Sequence, residues 1–148
     1  MVKILHAADF HLDSPFAGLT SEQARARRRE GRENIARLAN YANAGHVDLV
    51  LLAGDLFDSG EIYRQTAETL AKALGTVEGR VFIAPGNHDY WDEKGPYAQV
   101  NWPENVHIFK SDALEAVELP ELNCVVHGAA FTAPECTDNL FGGFRAEE

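Results

Sequence analysis

Three short stretches of this sequence carry side chains suited to work at a metal ion: Asp9-Phe10-His11, Gly54-Asp55-Leu56-Phe57-Asp58 and Gly86-Asn87-His88-Asp89. Carboxylate, imidazole and amide oxygen together make the donor set of divalent ions of the magnesium, manganese, iron or zinc kind. One residue separates Asp9 from His11, so an extended backbone would turn both to the same side, where they could share one ion. Asp55 has two oxygens and could bridge that ion to a second. Two ions about 3.5–4 Å apart clamp the attacking and leaving oxygens of an in-line phosphoryl displacement. Singly, each stretch is ordinary, because Gly-Asp closes many turns and Asn-His-Asp is common loop chemistry. Their recurrence after three separate strands selects the metal reading over accidental loop polarity.

The elements that must position them follow from the apolar pattern. Residues 2–8 form an apolar run ending at Asp9, residues 47–53 are almost wholly apolar, and residues 80–85 lead into Gly86, so each reads as a strand covered by other elements. Between them, Thr20 and Gln23 make a capping box that starts a helix running to about residue 43, with Ile35, Leu38, Ala39 and Ala42 on one face. A second helix is expected over 62–74, a helical turn over 96–100, and further strands over 106–109, 114–119 and 124–128. Strands alternating with helices give an α/β fold of βαβαβ units, with right-handed crossovers and parallel strands packed against helices. In such a sheet ligands bind beyond the carboxyl ends of the strands, so Asp9, His11, Asp55, Asp58, Asn87, His88 and Asp89 should meet at one crevice. Gly54 and Gly86 would allow the backbone to turn tightly there.

Composition narrows the class. The 148 residues amount to one domain, 1–148, and with 45% hydrophobic and 24% charged residues the chain is expected to fold rather than remain disordered. No apolar run approaches the ~20 residues of a membrane span, so no membrane partner is expected, and the opening stretch meets Asp9 too early for a secretory signal. Two cysteines, Cys124 and Cys136, are too few for a disulfide framework and fit a reducing cytoplasm. The net charge of −10, from 23 acids against 13 bases, excludes a wholly basic nucleic-acid-binding module but not a protein that meets phosphates through metal ions.

The three stretches resemble the first three motifs of the calcineurin-like metallophosphoesterases. The segment His6-Ala7-Ala8-Asp9-Phe10-His11-Leu12-Asp13-Ser14-Pro15-Phe16 more narrowly resembles the DNA repair exonuclease branch, the SbcD-like nucleases. The resemblance implies a metallophosphoesterase-like sandwich and two divalent ions, with manganese the expected metal. Asp9 and His11 would bind the first ion, Asp55 both, and Asn87 the second. His88 would be the general acid, or stabilise the scissile phosphate, with Asp58 as its hydrogen-bonding partner. A carboxylate beside an imidazole fixes its tautomer and favours its charged form, which suits a donor to a leaving oxygen. The nucleophile would be a metal-activated water. DNA would be the substrate, with a partner ATPase subunit and a homodimer as the implied assembly.

Two departures qualify this resemblance. Ser59-Gly60 stands where the protein-phosphatase branch carries Arg-Gly, which argues against a phosphoprotein phosphatase. The later motifs of the family, a single His and then Gly-His-x-His, do not occur, and beyond His88 only His107 and His127 are found. The chain is therefore expected to be the N-terminal part of a truncated domain, with its C-terminal part missing and weaker ion binding. A nucleotide or small-molecule phosphodiesterase and a non-catalytic binding or scaffold fragment are the rival readings.

Other polar and aromatic residues are of second rank. Arg25, Arg28, Arg29 and Arg32 form one helical stripe that could track phosphates, but relief by Glu22, Glu30 and Glu33 on a solvated face is favoured. Asp89 is expected to close its turn. His107 and His127 read as core histidines, His6 as support behind the site, and Cys124 as a small core residue. For Tyr90, Trp91 and Trp102, loop packing is favoured over stacking on bases.

Overall fold

The computed structural model describes residues 1–58 and 64–146. Ser59-Gly60, Ile62 and the terminal Glu147-Glu148 lie outside the described residues. The strands are β1 (Ile4–Ala7), β2 (Leu49–Ala53), β3 (Arg80–Ala84), β4 (Val106–Ile108), β5 (Glu115–Leu119) and β6 (Cys124–Gly128). The helices are α1 (Ser21–Ala44), α2 (Arg64–Leu74) and the single turn α3 (Pro96–Gln99).

Strands β1 to β4 form a parallel sheet in the order β1-β2-β3-β4, with Ile4 beside Leu49, Leu49 beside Arg80 and Val81 beside Val106. Chain order and spatial order coincide, so the carboxyl ends of the first three strands lie side by side. Alternation sends Val50 and Leu52 of β2 to one face with Val81 and Ile83 of β3. There they pack against Ile35, Ala39 and Ala42 of α1 and Ala67, Leu70 and Leu74 of α2. Burying each large side chain of this set contributes about 1.5–3 kcal/mol, which fixes the register of strands against helices. The capping box forms as expected: the Gln23 amide donates to Thr20 Oγ1 at 3.3 Å and the Thr20 amide to Gln23 Oε1 at 3.0 Å. At its other end α1 stops at Gly45, but the left-handed residue is the next one, His46.

The opposite sheet face is covered differently. Leu49 of β2 and Phe82 of β3 meet Phe109, Leu119 and Ala130, so the antiparallel β5–β6 hairpin covers the β3–β4 side and makes a small sandwich. Gly128 lies flat on the ring of Phe109, where a Cβ would come within 2.1 Å of Cε2. The β1 side of this face is open, and Ile4 is 56% exposed. Val117, Cys124 and Val126 pack against the second core, as expected of Cys124. No helix among the described residues is long and apolar enough to cross a membrane.

Candidate metal centre

The chain leaves β1 and β2 along two loops that run side by side. The amide of Asp9 donates to the Gly54 carbonyl at 3.2 Å, His11 to Asp55 at 2.9 Å, and Leu12 to Leu56 at 2.9 Å. In the other direction, the Asp58 amide donates to the Leu12 carbonyl at 3.1 Å. This ladder extends the parallel pairing past the strand ends, and Leu12, Leu56 and Phe57 pin it by burying their side chains in the core. Polar and apolar residues therefore divide the work within each motif. Contrary to expectation, the first motif is not pleated. Asp9 and His11 have φ of 57° and 44°, both left-handed, and the ladder with residues 54–56 holds them there. Their side chains still meet, with His11 Nε2 3.8 Å from Asp9 Oδ1.

Two overlapping groups result. Asp9, His11 and Asp55 each offer a ligand atom within 4.8 Å of the others, and so do His11, Asp58 and His88. Ligands about 2.0–2.2 Å from one ion stand up to about 4.4 Å apart, so the first group needs little adjustment to enclose a divalent ion. Its two carboxylates and one imidazole are the donor types such ions take, and the fit is good. Asp58 Oδ1 lies 3.4 Å from His88 Nδ1 and 3.9 Å from His11 Nδ1, so it serves both rings. The rings of His11 and His88 stand edge to face, 5.0 Å between centroids. Among the described residues His88 Nδ1 is buried without an aligned hydrogen bond, so its relation to Asp58 is charge proximity and not the hydrogen bond the motif implied. Asn87 is exposed beside His88 on the loop after β3.

The positions of Asp55 and His88 are coupled. The His88 amide donates to Asp55 Oδ1 at 3.1 Å. A Cβ at Gly86 would fall 2.3 Å from that same oxygen, so Gly86 is required for room and not for a left-handed turn. Gly54 is left-handed at φ 80°, as a tight turn demands. Beneath both loops lies Asp89, 3% exposed. It accepts from the amides of Asp55, Leu56, Phe57 and Gly86 at 3.1, 2.8, 3.2 and 2.7 Å, and from the hydroxyl of Tyr97. It does close its turn, but it also joins the β2 and β3 loops. Burial, and then the negative charge of Asp89, hold the Tyr97 hydroxyl well above its ordinary pKa. Tyr97 was invisible in the sequence, since nothing in a residue of a helical turn eight positions on marks it as the partner of Asp89.

The remaining candidates separate. Arg32 binds the nearly fully buried Asp13 carboxylate at 2.9 Å, and Arg28 reaches the carbonyls of Ser14 and Pro15. Half of the stripe thus ties the β1 loop to α1. Arg29 pairs with Glu33, and Glu30 with Arg27. His6 is exposed on β1, on the open face of the sheet, which does not fit a support role. His127 is exposed against the ring of Phe144, correcting the core reading, because β6 turns it to the outer face of the hairpin. His107 is half-buried between the rings of Phe82 and Phe109, 3.0 Å from Glu115. Trp91 packs against both cores and carries Lys110 over its ring, while Trp102 Nε1 donates to the Tyr97 carbonyl at 2.8 Å. Packing accounts for both tryptophans.

Comparison with known proteins agrees with this geometry. A family model described as calcineurin-like phosphoesterase matches residues 2–143. The chain is 39% identical over 113 residues to the uncharacterized metallophosphoesterase YhaO of Bacillus subtilis, covering 72% of this chain and 27% of that protein. It is 33% identical over 93 residues to the SbcD component of the nuclease SbcCD of Rhodobacter capsulatus, covering 60% of this chain and 22% of that protein. Against the corresponding SbcCD component of Bacillus subtilis the identity is 22% over 122 residues, covering 80% and 30%. The matched stretches are thus under a third of the length of these relatives.

Proposed function

The chain belongs to the calcineurin-like phosphoesterase family, and on that premise we propose that it carries the first ion-binding motifs of a metal-dependent phosphodiesterase, a DNA exonuclease of the SbcD-like type. The observation that carries the reading is the meeting of Asp9, His11 and Asp55, from the ends of adjacent parallel strands, within the reach of one ion. The likeness to two proteins named as components of a nuclease supports DNA as the substrate. A partner ATPase subunit, a homodimer, manganese and a cytoplasmic setting belong to the same proposal.

Asp9, His11 and Asp55 would hold the first ion, and Asp55 and Asn87 the second. When bound, two such ions supply Lewis acidity and a hydroxide-like water at neutral pH. The other roles fall to side chains. His88 turns Nδ1 toward Asp58, so Nε2 is the nitrogen left to donate a proton to the leaving oxygen. The Asp58 carboxylate faces that nitrogen across 3.4 Å and would orient the ring. The Asp55–His88 amide contact ties donor and ligand to one frame, so that neither can shift alone.

The test uses the protein as it exists. Duplex DNA, single-stranded DNA and a chromogenic phosphodiester are offered with and without Mn²⁺. Metal-dependent DNA cleavage, lost in Asp55→Ala and in His88→Ala, is expected. Cleavage of the small diester without cleavage of DNA would favour a nucleotide or small-molecule phosphodiesterase. Full activity in Asp55→Ala would overturn the reading, and DNA binding that ignores a chelator and leads to no hydrolysis would favour a scaffold.

A further inference from the structure

We infer that Asp89 is a positioning residue for the metal centre, an internal anion that fixes the β2 loop in the conformation which aims the Asp55 carboxylate. The inference rests on the reading of the site proposed above. Successive amides that point into one concavity form a nest, a backbone arrangement that takes an anion. Here the amides of Asp55, Leu56 and Phe57 make such a concavity directly after left-handed Gly54 and Asp55, and Asp89 fills it from inside the fold.

Both carboxylate oxygens are committed. Oδ1 accepts from Asp55 and Gly86; Oδ2 accepts from Leu56, Phe57 and the Tyr97 hydroxyl. An ionised carboxylate accepts at both oxygens and has no donor, which suits this shell made only of donors. The Tyr97 hydroxyl keeps its proton through the neutral range, so it remains a donor to Oδ2. The Asp89 carboxylate is thus the junction of three segments: the β2 loop, the start of the β3 loop at Gly86, and α3 through Tyr97. Gly86 is also the residue whose missing side chain leaves space for Asp55 Oδ1. If Asp89 lets go, both the backbone that carries Asp55 and the wall against which its carboxylate rests are released.

The test compares Asp89→Asn and Tyr97→Phe with the wild-type chain. Asparagine keeps the shape but replaces one acceptor oxygen by a donor facing amide N–H groups. Amide hydrogen exchange is read on the metal-free chain, and Mn²⁺ binding by calorimetry. In Asp89→Asn the amides of 55, 56, 57 and 86 should exchange about tenfold faster, as the loss of a net hydrogen bond implies. Amides of α1 should not change. Affinity for Mn²⁺ should fall by about 10–100-fold, the usual effect of removing a group that orients a ligand. Tyr97→Phe should move both readouts the same way by less, and it decides the matter should Asp89→Asn not fold. Unchanged exchange at the four amides, uniform acceleration across the chain, or local acceleration with wild-type Mn²⁺ affinity would each overturn the positioning role. Failure of the wild-type chain to bind Mn²⁺ would instead overturn the metal-centre reading, while metal-free exchange still decides whether Asp89 holds the loop.

Discussion

Gly86→Ala isolates the placement of Asp55 from its chemistry, because it adds a methyl group and removes no donor or acceptor. The new Cβ would stand 2.3 Å from Asp55 Oδ1, 2.7 Å from Asp55 N and 3.0 Å from Asp55 Cγ, where ordinary contact begins at 3.4 Å. The carboxylate must retreat by about 1 Å, beyond the ~0.5 Å within which a functional constellation must be held. Gly86 is not left-handed, so alanine meets no backbone penalty and the effect is steric. Overpacking of this kind costs about 1–3 kcal/mol. At roughly 2–4 °C per kcal/mol for a chain of this size, the apo melting temperature should fall by about 3–10 °C. Weakening of Mn²⁺ binding by about 10–100-fold should accompany it. The two effects separate in melts taken with metal. At an ion concentration about one hundred times the wild-type Kd, binding stabilises the wild type by about 2.7 kcal/mol, but a hundredfold weaker variant by only about 0.4 kcal/mol. Gly18→Ala, with nothing within 4 Å of its added Cβ, is the control and should leave both quantities unchanged. A folded Gly86→Ala protein that binds Mn²⁺ as the wild type does would refute the claim that the site depends on where this wall puts Asp55.

Two further outcomes concern stability. The Tyr97 hydroxyl has a raised pKa in the folded chain, so its contribution is fully present below about pH 10, the ordinary tyrosine value, and is lost as pH rises through the higher folded value. Chemical denaturation from about pH 8 to about pH 11 should show stability falling at the alkaline end, with a shallower fall in Tyr97→Phe. Thr20→Ala removes the side-chain half of the α1 capping box and should cost about 1 kcal/mol, seen as a shift in denaturation midpoint at constant m-value.

The strand ends were readable because apolar runs stop at polar clusters, and β2 shows the reason: Leu49, Val50 and Leu52 are buried, and Gly54 follows at once. The capping box fixed the start of α1 just as directly. The local conformation of the first motif was not readable. A rule of alternation assumes pleated backbone, whereas the cross-loop ladder that makes Asp9 and His11 left-handed depends on β2 arriving alongside β1. The same holds for Asp89 and Tyr97, whose importance arises from donors far away in the chain. His127 was misplaced because apolar neighbours do not say which face of a two-stranded hairpin looks outward. The helices, too, were expected against the sheet without a side; α1 and α2 share one face, and the hairpin takes the other.

The left-handed backbone at Asp9, His11 and Asp55 has a consequence for how this protein responds to selection. An L-residue with a side chain gives up about 1–2 kcal/mol in that region, a burden glycine does not carry. Glycine at these three positions would relax the turns and strip away the groups best placed to grip a cation. Variants bred for heat tolerance alone should therefore drift toward hardier, chemically silent loops.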